Sequence, residues 1–214
     1  MTRYLFSGAL LAGALLAAVL LSGCGESKAP VAEQKKEEEK PPEPVSGNTA
    51  FFRMYTAARG WAPDVEPLRL VSLPLEGVPQ EPGKAGAWQA TFISRSSGRQ
   101  RSYTYAVIQG PGSLYKGVFA GHEESYTQRR DIQPFMIQAL KVDSTTAYQT
   151  AIEQGSRVKD YMAKNPDMNI SFILEQTREF NLPAWRVLWG DSPTTSNYSI
   201  YIDAASGSYL KTAR

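Results

Sequence analysis

Along the second half of the chain, apolar side chains first recur every three to four residues and then every second residue. Tyr148, Ala151, Ile152, Gly155, Val158 and Met162 share one face at helical spacing, which predicts a helix over 145–164. Asp143 or Ser144 is placed to cap it. Asn165-Pro166 stops it, because the residue before a proline avoids helical backbone angles. Three alternating runs follow: Asn169 to Leu174 with Ile170, Phe172 and Leu174 on one side, Ala184 to Trp189 with Trp185, Val187 and Trp189, and Tyr198 to Asp203 with Tyr198, Ile200 and Ile202. Mostly polar residues hold the other side, as a sheet with one wet face requires. In Asp203-Ala-Ala-Ser-Gly207 the aspartate can accept from backbone N–H groups and the glycine supplies a positive φ, so this is a tight reversal, with Ser208 to Thr212 returning as a short strand.

The first half has the same order with a shorter helix. Asn48 or Thr49 opens it, Phe51, Phe52, Tyr55 and Ala58 form its stripe, and Gly60 ends it. Leu68 to Leu73 is a strand between prolines, and Gly77 to Gly86 is a loop. Trp88 to Ser94 and Ser102 to Ile108 make a hairpin around Ser96-Ser97-Gly98-Arg99, and Ile132 to Val142 is a linking strand.

The two halves match in series. Trp88 and Trp185 stand 97 positions apart, and each follows an aromatic helix residue, Phe51 or Tyr148, by 37. Tyr103 to Lys116 aligns without a gap to Tyr198 to Lys211 at an offset of 95, with Gly112/Gly207, Ser113/Ser208 and Lys116/Lys211 identical. Self-similarity at such a period predicts an internal duplication. The fold class is therefore α+β: two αβββ units, each a helix packed on an antiparallel sheet. The stretch Y-x-I-x-I-D-A-x-x-G-x-Y-L at Tyr198 to Leu210 resembles the PepSY domain. The likeness is good over 144–214 and weaker over 48–120, where Ile108 replaces the aspartate. It implies a cystatin-like fold with binding or peptidase-inhibiting roles, and its motif carries no catalytic residue.

Arg3 followed by the apolar run Leu5 to Leu21, about seventeen residues long, reads as a secretory signal. Leu21-Ser22-Gly23-Cys24 resembles the lipobox of bacterial lipoproteins, which implies a diacylglycerol on the Cys24 thiol and cleavage before it. Gly25 stands where that family's inner-membrane retention signal would place Asp, which favours an outer-membrane location facing the periplasm in a diderm host. The alternative is an uncleaved anchor helix. The organisation expected is a signal over 1–23, a lipidated cysteine and Pro/Glu/Lys tether over 24–47, a first unit over 48–121, a connector over 122–143 and a second unit over 144–214.

Composition narrows the chemistry. With 23 basic against 21 acidic side chains, one cysteine and one histidine, the chain is no strongly cationic nucleic-acid binder. It has no internal disulfide and no spare residues for a Cys/His zinc site. His122-Glu123-Glu124 lacks the second imidazole of H-E-x-x-H, since position 126 is Tyr. No phosphate-binding glycine pattern is present and no cofactor is expected. Asp203, Gly207 and Gly112 are turn residues. Tyr103, Tyr105, Tyr198 and Tyr201 straddle both faces of their strands and are candidate binding aromatics, or else line an interface between the copies. The expected partners are the membrane, through the lipid, and an envelope protein or peptide. The sequence thus points to a non-catalytic binding or peptidase-inhibiting module. Its rivals are a small-molecule or lipid carrier with a pocket between helix and sheet, and a hydrolase built on His122.

Overall fold

Ser46 and Asp143 open the two principal helices. The computed structural model of the chain describes residues 41–155, 157–196 and 198–213; helix α1 covers Gly47–Trp61 and helix α2 Ser144–Gln154. Ser46 Oγ accepts the N–H of Thr49 and Asp143 Oδ1 that of Ser144, so each satisfies a donor that the first helical turn leaves unpaired. The helix expected over 145–164 ends at Gly155, passes through Arg157 at φ 58°, and resumes as α3, Val158–Lys164. Gly155 sits so close to the sheet that a Cβ there would lie 2.2 Å from Ile200 Cδ1.

The strands are β1 (Val45–Ser46), β2 (Val65–Leu73), β3 (Lys84–Ala85), β4 (Ala87–Ser94), β5 (Arg99–Ala106), β6 (Gly117–Ser125), β7 (Ile132–Gln133), β8 (Ile170–Thr177), β9 (Ala184–Trp189), β10 (Tyr198–Asp203) and β11 (Tyr209–Ala213). One antiparallel sheet runs β11-β10-β9-β8-β2-β4-β5-β6, with β7 added beside β8; β1 and β3 pair separately. Each half is thus a four-stranded meander under its own helix, and β2 joins β8 at the middle, with Leu70 opposite Leu174 and Val71 opposite Ile173. The registers of the two halves correspond. Leu70 pairs with Ala90 and Ser72 with Trp88, as Phe172 pairs with Val187 and Leu174 with Trp185. The equivalents Val71 and Ile173 are therefore partners of each other, and a pseudo-two-fold axis passes through that pair.

Trp88 and Trp185 are fully buried and meet edge to face at 6.3 Å. Each indole N–H donates to a valine carbonyl 43 residues upstream, Val45 at 3.1 Å and Val142 at 2.8 Å. One hydrophobic core runs through both halves, from Phe51 and Met54 of α1 with Phe92 beneath them to Ala151 of α2 with Val187 and Ile200.

Three boundaries differ from expectation. Val45 to Gly47, assigned to the tether, belong to the fold: Val45 pairs with Ala85, Ser46 caps α1 and Gly47 is buried. The remainder of that tether up to residue 40, the signal and Cys24 lie outside the described residues. The connector expected over 122–143 begins inside β6, where Glu123 and Glu124 pair with Arg101 and Gln100. Of the expected linking strand only Ile132–Gln133 pairs as a strand, and Ile137–Ala139 forms a 3-10 turn. The register also corrects the repeat spacing in β5. Tyr103 lies opposite Ala90 and Ile200 opposite Val187, so Tyr103 corresponds to Ile200 at 97 and not to Tyr198 at 95.

Candidate recognition surface

Alternation along β8 to β11 sends Ile173, Arg186, Tyr201 and Lys211 to the sheet face opposite the helices, where they are successive cross-strand partners. The Tyr201 ring has the Arg186 guanidinium 5.3 Å from its centroid, the Lys211 ammonium 5.1 Å away and the Phe180 ring 5.4 Å away. Arg186 Nε is held by donating to Ser199 Oγ at 3.1 Å, and Lys211 is paired with Glu179. Burial raises the Tyr201 phenol above its ordinary pKa, against the opposing pull of Arg186 and Lys211. The result is a flat aromatic surface with two fixed cations on it, each contact contributing about 0.5–1 kcal/mol at an exposed site.

One row along, Arg69 and Glu175 face each other across the central pair of strands. Their Nε and Oε2 atoms are 3.1 Å apart, yet neither is aligned for a hydrogen bond within the described residues. The Glu175 side chain is only 14% exposed, and its burial pushes the carboxyl above the usual carboxylate range despite Arg69 and Arg186. Beyond Arg69 the same face opens into a polar groove of about 280 Å³, floored by Gln89, Thr91 and Ser102 and walled by Ser125, Thr127 and Arg129. This face therefore offers cations, an aromatic ring and hydrogen-bonding side chains in one continuous strip.

Of the four candidate tyrosines only Tyr201 belongs to this strip. Tyr103, Tyr105 and Tyr198 are buried on the helix-covered side, which corrects the expectation that they are available for binding. Tyr103 is 1% exposed, against Phe92 at 5.8 Å; Tyr105 takes a hydrogen bond from Arg53 Nη1; Tyr198 stacks on Tyr161 at 4.9 Å. Positions 103 and 105 share a face by alternation, so they never straddled the sheet. Arg186 and Lys211 occupy the polar positions of strands whose apolar positions are plain in the sequence, so alternation alone points to them; Phe180 lies in the β8–β9 loop, where no such pattern reaches.

The turn residues have local roles. Asp203 Oδ1 accepts from Ala205 N at 2.7 Å and Ser206 N at 3.1 Å, while Gly207 adopts φ +78° and donates to Asp203 O. Gly112 has φ +69° in the β5–β6 loop, followed by Ser113 at φ 67°. His122 is exposed on β6. Its neighbour Glu123 accepts from Trp61 Nε1 at 2.7 Å and Arg99 Nε at 2.8 Å, which hold its carboxyl below the usual range. Among the described residues no three His, Cys, Asp or Glu side chains converge as a metal site requires, and no helix is long and apolar enough to cross a membrane. The interface between helices and sheet is filled by Phe51, Met54, Trp88, Phe172 and Trp185; a pocket of about 220 Å³ lies instead at the strand ends, between Leu75, Val78 and Ile170.

No family model matches the chain, so the PepSY resemblance rests on the strand-and-turn residues of the second half. No curated protein matches it either. Among solved structures, a candidate lipoprotein from Clostridium difficile 630 is similar at 10% identity over 82% of this chain and 95% of that one, with a TM-score of 0.48. That likeness is too loose to bear on function.

Proposed function

We propose that the protein is a lipid-anchored component of the bacterial envelope whose folded part is a non-catalytic binding module. The carrying observation is the Arg186–Tyr201–Lys211 ladder on the open sheet face. Two half-buried cations against one ring fit an acidic segment of an envelope protein or peptide, since carboxylates pair with the cations while apolar groups cover the ring. Slowing of a co-secreted peptidase is the narrower form of this activity, supported by the PepSY resemblance alone. Leu21-Ser22-Gly23-Cys24 supports the lipid anchor, and Gly25 supports the outer membrane. The matching registers and paired indole hydrogen bonds support descent from a duplicated unit.

Two measurements test the proposal. Alkyne-palmitate labelling should mark the wild-type chain and not Cys24→Ser. A photo-crosslinking residue at position 186 or 211 should capture a discrete partner on intact cells, while one at Phe52 on the outer side of α1 should not. Equal capture from both faces rejects the open face as the recognition surface.

A further inference from the structure

Six large apolar side chains are exposed among the described residues. Phe52, Met136 and Leu182 are scattered, but Tyr115 (43%), Val118 (39%) and Phe119 (42%) fall within five positions, at the β5–β6 loop and the start of β6. The rings of Tyr115 and Phe119 lie 4.7 Å apart and form one patch. From Val107 to Ala120 the sequence has no acidic side chain and one cation, Lys116.

We propose that this patch is a membrane-contact surface, which rests in the headgroup region of the bilayer that holds the lipid anchor. The inference builds on the anchoring reading above. Three observations select lipid as the occupant. First, the chain arrives at this end of the sheet: Val45 pairs with Ala85 beside Gly86, and Gly86 O accepts the N–H of Val107, where the loop departs. Sixteen residues lie between Cys24 and Pro41, which reach at most about 55 Å, so an anchored domain stays within a short distance of the bilayer and a weak surface suffices. Second, the composition suits an interface: Tyr and Lys place an apolar body in the boundary with a polar tip in water. Glu123 and Glu124 lie about 17 Å up the strand, away from anionic headgroups. Third, β6 is poorly suited to adding a strand from another protein. Its pairing with β5 is interrupted between Arg101 and Tyr103, and Arg101 Nε donates to Gly121 O at 2.8 Å. Such a bulge and the charged positions beyond it guard an edge.

The test uses the full-length lipidated protein in phosphatidylethanolamine/phosphatidylglycerol vesicles, with an environment-sensitive fluorophore on Ser113→Cys or, as control, Met136→Cys, the latter 71% exposed. The Ser113 reporter is expected to shift to the blue and to be quenched by nitroxide lipids; the Met136 reporter is expected to do neither. Adding Tyr115→Ser and Phe119→Ser should abolish the shift while the protein still floats with the vesicles. A protein that floats with the Ser113 reporter in water overturns the contact alone. A protein that does not float overturns the anchor and the contact with it. A blue shift that appears without vesicles and grows with protein concentration assigns the patch to a second copy and overturns the proposal.

Discussion

Asp143 Oδ1 accepts the backbone N–H of Asn48 at 2.9 Å as well as that of Ser144, so one carboxylate closes the first turns of both helices. Beside it Ser144 Oγ accepts Gly47 N at 2.7 Å and donates to Gly83 O. The positive ends of two helix dipoles converge here, and the aspartate offsets them. Asp143→Ala should therefore cost about 1–3 kcal/mol, more than an ordinary cap, whereas Asp143→Asn, which keeps an acceptor oxygen, should cost less. Urea unfolding of both variants checks this; equal losses would show that the acceptor kept by asparagine contributes nothing.

Glu175 should leave a mark on the pH dependence of stability. Burial raises its folded-state pKa above the unfolded value. Relative to a neutral residue, the native state is then best off below the ordinary carboxylate range and loses stability as pH rises through the folded pKa. The stability of Glu175→Gln minus that of wild type should accordingly increase between about pH 4 and pH 7. A flat or falling difference, measured by denaturant unfolding across that range, would contradict the burial account.

The Tyr201 phenol should titrate above the ordinary value of about 10. Arg186 and Lys211 both oppose the rise, so Arg186→Met or Lys211→Met should push the phenol further up. Ultraviolet difference titration against Tyr201→Phe isolates this step, and a downward movement would mean that the cations do not face the ring.

Gly155→Ala restricts the unfolded chain yet should destabilise by about 1–3 kcal/mol, because the new methyl meets Ile200 Cδ1 at 2.2 Å and Ala151 O at 2.5 Å. Ile200→Val removes the first clash only. In a double-mutant cycle the two changes should show a favourable coupling that recovers part of the loss. Strict additivity would indicate that α2 simply moves away from the sheet.

Where one face of a strand is buried, the period of two was legible: Trp185, Val187 and Trp189 gave β9 its limits, and Tyr198, Ile200 and Ile202 gave β10 its limits. Strand β6 was not, because an edge strand with both sides largely wet has no reason to alternate, and Val118-Phe119-Ala120-Gly121 does not. The spacing of 95 misled for a physical reason. A shift of two residues keeps every side chain on its face, so sequence identity in phase cannot distinguish it from 97. Only the partners of Tyr103 and Ile200 do so, and the β5–β6 loop absorbs the difference. The binding strip was half visible: polar positions opposite the apolar ones named Arg186 and Lys211, but the approach of Phe180 depends on how the β8–β9 loop folds back.

The pairing of β2 with β8 has a consequence for the halves taken singly. Each half would present a central strand with no partner, and each would expose one of the two tryptophans that meet edge to face. Two copies of one half could restore the arrangement only by colliding, so their assembly would follow mass action and fail on dilution. Joining the halves through residues 126–143 replaces that bimolecular encounter with an internal one, and the protein's integrity no longer depends on its abundance.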